Sequence, residues 1–318
     1  FTSGGYVAPN PPSGAVLTYT LPAEIKATPE QRRKSQTPVK ITISDASGKA
    51  VHTMYGPARA GVNRAVWNMR YDGPKRLTFL PPPPERDEED FFFDPNTGPL
   101  ALPGTYKAAI TVNGKTETQT VTLENDPRFR FDPGAQAAQH KMALELRDQV
   151  SAMNEGLNRL ANLHKQIASL QEIVGSNSDE QENVSYKPVM EAARSLDKKV
   201  TSLQSSLFNT EIQPGGQDNI HHLQRFHDNL QGIMREVMQP YGEAPKSQVI
   251  EEAAELGKQL KDHLKEINDL LAGDVAGFNK IAAEHGASTL FAGLPITVKM
   301  GGEASAGSGE LEDEENLD

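Results

Sequence analysis

Between Val39 and Tyr71 apolar residues alternate with polar ones, first at Val39, Ile41 and Ile43, then over Val51 to Met54, then over Val62 to Met69. Successive side chains of a strand point to opposite faces, so a period of two predicts half-buried strands. Turn residues separate them at Asp45-Ala46-Ser47-Gly48 and Gly56-Pro57, and Gly48 suits the left-handed position of a short hairpin loop. Ala15 to Leu21 predicts an earlier strand and residues 22–37 a polar loop. Pro103 to Val112 and Thr116 to Leu123 predict two later strands joined at Asn113-Gly114. Asn-Gly is a strong hairpin signal, because a type I′ turn needs positive φ at both central residues. Trp67, the single tryptophan, falls on a strand from which it can fill a core. Together these strands predict an immunoglobulin-like β-sandwich over residues 15–127.

Residues 74–100 interrupt the strand pattern as a Pro-rich acidic insertion. Pro81 to Pro84 cannot donate ladder hydrogen bonds and favour polyproline II; an acidic run to Asp90 and three phenylalanines follow. A long surface excursion is predicted there. After Asp126-Pro127-Arg128 the period becomes 3.6. Asp132 is placed to cap a helix and Pro133 to occupy its first turn. Leu146, Val150, Met153, Leu157, Leu160, His164, Ile167, Leu170 and Val174 recur at steps of three and four, predicting one helix from Gln136 to Val174, about 58 Å long. A polar loop is expected over 175–187, then helices over Pro188 to Asn209, Asp218 to Met238 and Ser247 to Leu271, with Asp274 capping a short closing helix. Their buried faces include Leu223 and Phe226 on the third helix and Ile250 and Ala253 on the fourth. Short connections make neighbours antiparallel, so residues 128–295 predict an up-and-down four-helix bundle, its stripes implying an interior free of polar groups. The chain as a whole is predicted to be an α+β multidomain protein. Residues 1–14 are expected to be a linker from a missing upstream domain and residues 296–318 a disordered acidic tail.

The 318 residues suit two ordinary domains, and 36% hydrophobic with 24% charged residues is a globular composition. There is no cysteine, which excludes disulfides, thiolate metal sites and cysteine nucleophiles. The net charge of −11 is uneven: residues 1–130 carry 16 Lys and Arg against 13 Asp and Glu, and the remainder 16 against 30. Such a surface argues against nucleic acid and anionic membranes as partners. No apolar run reaches the roughly 18 residues of a membrane span. The chain starts at Phe1 without an initiator methionine, so an upstream part is expected to have been removed.

Candidate chemistry is sparse. His221, His222 and His227 form the densest histidine cluster, but on a helix no two of them share a face suited to chelation. His164 reads as a seam histidine, hydrogen-bonded or at the bundle rim, and His52, His140, His263 and His285 stand apart. Asp94-Pro95-Asn96-Thr97-Gly98 holds only fragments of a calcium loop. The Asp45 to Gly48 turn has the wrong spacing for an aspartate box. Nucleophile elbow, phosphate loop and zinc-protease histidine pair are all missing. No catalytic, cofactor or metal residue is therefore assigned. The remaining candidate is an interaction loop, Asp87, Glu88, Glu89, Asp90, Phe91, Phe92, Phe93 and Asp94, whose aromatic residues need a surface to bury against.

One series of short motifs carries a resemblance: Pro11-Pro12-Ser13-Gly14-Ala15 through Tyr19, Ile43 through Lys49, Gly61-Val62-Asn63-Arg64, Trp67-Asn68-Met69-Arg70, Leu102-Pro103-Gly104-Thr105-Tyr106, Asn125 through Arg128 and Asp274 through Asn279. Across residues 9–295 the chain resembles the C-terminal region of large bacterial proteins with sialidase-type or sortilin-type (BNR repeat) β-propellers, often labelled glycosyl hydrolases. The β-module is also similar to the immunoglobulin-like domain of flagellar hook-capping proteins. The resemblance implies a non-catalytic accessory or assembly module of a secreted or envelope protein, in contact with an upstream propeller. It leaves open a sialidase-like parent whose active site lies in that propeller, and a homo-oligomeric surface protein. No propeller residue of the family maps onto this chain.

Overall fold

The computed structural model describes residues 12–80, 96–177, 180–209, 223–239 and 242–298. The chain is α+β and divides into two compact units. Among the described residues, the first holds the chain up to Asp72 together with Gly98–Phe131, and the second holds Gly73–Leu80, Asn96, Thr97 and the chain from Asp132 onward.

The first unit contains β1 (Ala15–Leu21), a short helix α1 (Pro29–Arg33), β2 (Val39–Ser44), β3 (Ala50–Gly56), β4 (Gly61–Trp67), β5 (Gly104–Val112) and β6 (Lys115–Leu123). All pairings are antiparallel, in a two-stranded sheet β1-β4 and a four-stranded sheet β3-β2-β5-β6. The inward residues of both sheets share one core, with Leu17, Leu21, Ala65 and Trp67 meeting Val39, Ile41, Ile43, Tyr106 and Ala108. Trp67 is fully buried, and its ring meets the edge of Tyr106 at 5.3 Å between centroids. Asn113 and Gly114 both take positive φ, 48° and 76°, so the hairpin turn is of the predicted kind. The loop expected over 22–37 contains α1. Thr28 accepts from the Gln31 N–H while the Gln31 side chain accepts from the Thr28 N–H, a capping box that the sequence Thr28-Pro29-Glu30-Gln31 encodes.

Around the Trp67-Asn68-Met69-Arg70 motif, polar groups are spent on backbone. The Trp67 indole N–H donates to the Arg70 carbonyl at 2.9 Å, and the Arg70 guanidinium donates to the Gly98 carbonyl at 3.0 Å. Tyr71 N–H and Ala101 N–H bond Pro99 O and Met69 O, which zips residues 69–71 to 99–101. Gly98 lies so close to the carbonyls of Tyr71 and Asp72 that any Cβ there would collide with them.

The second unit contains α2 (Pro133–Asn177), α3 (Glu180–Leu207), α4 (Phe226–Met238), α5 (Ser247–Asp269) and α6 (Val275–Glu284). Asp132 caps α2 through the Ala135 N–H at 2.8 Å. α2 is the hub, packing on α3, α4 and α5, while α6 packs on α3. Its stripe from Leu146 to Leu170 is buried, with one exchange: Leu163 is inside, and His164 is exposed beside Asp197.

Several boundaries differ from the sequence reading. The expected loop over 175–187 is helical up to Asn177 and again from Glu180, with Pro188 inside α3. Residues 180–187 are rich in Glu, Gln and Lys, good helix formers that need no apolar stripe. The third helix starts at Phe226 rather than Asp218 as far as the described residues go, since 223–225 are coil. There the Asp228 carboxylate accepts from the Arg225 N–H at 2.9 Å, and Leu223 is exposed. On α5 the buried stripe runs through Val249 rather than Ile250, which is half in water. Asp274 caps nothing. A π-helical turn, Leu270–Asp274, carries α5 continuously into α6, and the Asp274 carboxylate instead accepts from Lys199 at 2.5 Å. Residues 296–298, expected to open a disordered tail, are ordered, with Ile296 buried in the helical core. Among the described residues no helix is long and apolar enough to cross a membrane.

Gly98→Ala should therefore destabilise the β unit by about 1–3 kcal/mol, the usual cost of overpacking against backbone that cannot rotate away. Urea denaturation followed by Trp67 fluorescence will measure it, and a midpoint equal to wild type would contradict the geometry.

Candidate functional site

The eight residues of the expected interaction loop, Asp87 to Asp94, lie outside the described residues, as do His221 and His222. The other histidines are dispersed. His52 Nδ1 is 2.7 Å from Asp72 Oδ1 in the β unit, and the His263 ring tilts against Phe226. His227 is 2% exposed within the helical unit. Among the described residues no three His, Asp or Glu side chains gather closely enough to hold a metal ion. Asp45 organises its own turn. Burial pushes its carboxyl up, but hydrogen bonds from the Ser47 hydroxyl and from the N–H groups of Lys49 and Ser47 outweigh this and leave it below the ordinary range. A groove of about 1060 Å³ lies between α3, α5 and the π-helical turn, with Lys198 and Lys199 on the α3 side and Asp262, Lys265, Glu266, Asp269 and Asp274 opposite. Four of its charges are already paired, Lys199 with Asp274 and Lys265 with Asp269.

The most organised polar arrangement is one that the apolar stripes conceal. Gly73 to Leu80 runs without regular structure along α2, packing Leu77, Phe79 and Leu80 on the helical core. An extended segment of this kind has backbone groups with no sheet partner, and burying them unpaired is costly. α2 supplies the partners. Ser151 Oγ accepts from the Lys75 N–H at 3.2 Å and the Asn154 amide donates to the Lys75 carbonyl at 2.6 Å. The Asn158 amide donates to the Arg76 carbonyl at 2.8 Å and accepts from the Thr78 N–H at 2.7 Å. Positions 151, 154 and 158 are spaced by three and four, so they share one helix face.

Behind this face Asn154 is 2% exposed, and its Oδ1 lies 2.8 Å from His227 Nε2. Because the Asn154 nitrogen donates to Lys75, its oxygen must accept, which assigns the proton to Nε2. His227 in turn meets the Phe208 ring at 5.1 Å, and Phe208 meets Phe79 of the extended segment at 5.5 Å, both edge-on.

A second extended segment, Ala287 to Val298, is held the same way. Asn279 bonds both the N–H and the carbonyl of Leu290, Gln166 both of Phe291, and Asn268 both of Ile296. Arg159 donates to the carbonyls of Ala292 and Leu294, with Gly293 at φ 76° leaving room for the guanidinium. At the α4–α5 connection Gln139 bonds the Val237 carbonyl and the Gly242 N–H.

Glu155 joins the two segments. One carboxylate oxygen accepts from Lys75 of the first segment, and the other accepts from Arg159, which holds the second, at 2.8 Å. Burial pushes this carboxyl up, but its two cationic partners outweigh that and hold it below its ordinary value of 4.5. Burial likewise pushes Asp228 up, and the neighbouring His227 and the Arg225 N–H reverse the shift. The helical interior is thus not free of polar groups. Gln136, Gln139, Arg147, Asp148, Asn154, Gln204 and His227 are buried in it.

Compared with known proteins, the chain matches no family model, and no curated protein or solved structure matches it.

Asn154→Ala strands the Lys75 carbonyl and the His227 N–H together. It should cost about 2–4 kcal/mol, whereas Asn158→Ala, at a half-exposed position, should cost about 1 kcal/mol. Both variants should expose Lys75 and Arg76 to trypsin faster than wild type, and unchanged nicking would refute the clamp. Glu155 has a depressed folded value, so its contribution is complete above pH 4.5 and is lost as pH falls through that folded value. The stability gap between wild type and Glu155→Gln should consequently be widest above pH 4.5 and close below it in thermal melts.

Proposed function

We propose that this chain is a non-catalytic accessory and assembly module of a propeller-bearing extracytoplasmic protein, supporting protein or carbohydrate contacts made elsewhere in that protein. The observation that carries the reading is where the polar atoms of the resemblance motifs go. Trp67 and Arg70 donate to backbone carbonyls within their own unit, and the Tyr106 hydroxyl donates to Leu102 O four residues upstream at 2.9 Å. Tyr19 donates to Pro57 O at 2.5 Å, and Asn279 clamps Leu290. The motif residues act as scaffold.

The same reading favours the finer architecture. Two antiparallel sheets over one core, with a tyrosine near the start of β5 bonded back to the preceding backbone, support an immunoglobulin-like sandwich. Helices α2 to α5 around the α2 hub, closed by α6, support an up-and-down bundle.

The test is turnover. The purified chain, offered aryl glycosides, sialosides and short peptides, should release product no faster than buffer. Hydrolysis of any of them, abolished by a substitution that leaves the fold intact, would replace this reading with an enzymatic one.

A further inference from the structure

We propose that β6 is the contact strand of a twofold dimer, in which the β6 strands of two copies pair antiparallel about Gln119. The inference is independent of any propeller. Asn113 and Gly114 form a two-residue loop, so Val112 and Lys115 close it as a mutually hydrogen-bonded pair. The alternation then turns the backbone groups of Lys115, Glu117, Gln119, Val121 and Leu123 toward β5, and those of Thr116, Thr118, Thr120 and Thr122 away from it. The Thr111 and Thr116 hydroxyls touch at 2.8 Å across the next pair, as fits the closer, non-hydrogen-bonded kind.

Beyond those four threonines no strand follows among the described residues: β6 ends the four-stranded sheet, and all four are exposed. Apart from Lys115 and Glu117 near its start, β6 lacks the usual protection of an open edge. It is nine residues long, has no proline, and pairs with β5 in unbroken register, whereas the β2–β3 ladder shifts at Ile43/Ser44.

The occupant follows from the strand's own sequence. Antiparallel self-pairing about Gln119 is the register that uses all nine residues of both strands. It sets Thr116 opposite Thr122, Thr118 opposite Thr120, Glu117 opposite Val121 and Lys115 opposite Leu123 of the second copy. Threonines face threonines, and neither charge meets its like. The outward groups of the four threonines then make about eight backbone hydrogen bonds across the axis. A twofold contact of this kind is self-complementary and closes, so assembly stops at two.

The chain contains no cysteine, which permits a direct test. Gln119 would face its own copy in a non-hydrogen-bonded pair with Cα atoms about 4.5 Å apart, inside the range that a disulfide spans. Under mild diamide oxidation Gln119→Cys should give a covalent dimer at least about tenfold faster than Thr116→Cys or Glu117→Cys, whose copies lie too far apart to bridge. Sedimentation should show the unmodified chain as a dimer. The double variant Thr118→Pro/Thr120→Pro, which removes outward donors while sparing the β5 ladder, should be a monomer with wild-type circular dichroism. Should that variant misfold, the cysteine comparison decides alone. A monomeric wild-type chain, a dimer that survives in a folded proline variant, or cross-linking no faster at 119 than at 116 would overturn the proposal.

Discussion

The helical unit depends on a requirement set by two stretches of chain that are neither helix nor strand. Gly73 to Leu80 and Ala287 to Val298 contribute apolar side chains to the helical core, among them Phe79, Leu290 and Ile296. They bring backbone N–H and carbonyl groups to that surface without a ladder to satisfy them. Side-chain amides are the natural partners, because one carboxamide donates and accepts at once and so matches a peptide group. Asn158, Gln166, Asn268 and Asn279 each use both functions, as do Asn154 and Gln139. Each such bond nets only about 1 kcal/mol, but the cost of losing one at a buried position is larger.

Apolar stripes and carboxamides do different work. Burial of Leu, Ile and Val along α2 to α5 supplies most of the driving force, yet it is indifferent to sliding by a fraction of a turn. The amides are not. A slip of the extended segment by one residue would break its bonds to Ser151, Asn154 and Asn158, and in one direction would set Pro74, which has no N–H, at Ser151. Glu155 then ties the two registers to each other, since its carboxylate is shared between a lysine of one segment and the arginine that grips the other. The amides that hold these two segments fix their alignment, a role that buried polar networks can take.

What the sequence disclosed follows from this division. Periodicity reports burial, so it located β1, β2, β5 and the stripes of α2 and α3, and it placed Trp67 inside, while the Asn113-Gly114 turn marked β6. It is blind to helical stretches without a stripe, and hence 175–187 read as loop although Glu180 onward is helical. It also averages over neighbours. The three-four series runs through His164 and Ile250, whereas Leu163 and Val249 take the buried faces about 100° away, and His164 lies outside it, bonded to Asp197. The clamp residues escaped for a deeper reason. Asn154, Asn158 and Gln166 look like ordinary surface amides unless the segment they hold is already known to lie there, and that segment is distant in sequence. The available hint was local: Ser151, Asn154 and Asn158 form their own three-four series beside Met153 and Leu157.

The β unit meets the same backbone requirement by other means, and the contrast explains where each unit is incomplete. In the helical unit, side chains come to the backbone: extended chain is brought to helices whose amides complete it. In the β unit, backbone completes backbone, from the β5–β6 ladder to the bridge between Arg70 and Leu100. A ladder has an end, and the groups at that end cannot be satisfied from within unless the sheet closes on itself. The outward backbone groups of the β6 threonines stand at such an end, so water or another strand must complete them. Of these, only a strand fixes direction and register, and β6 read backwards against itself supplies both without a charge out of place.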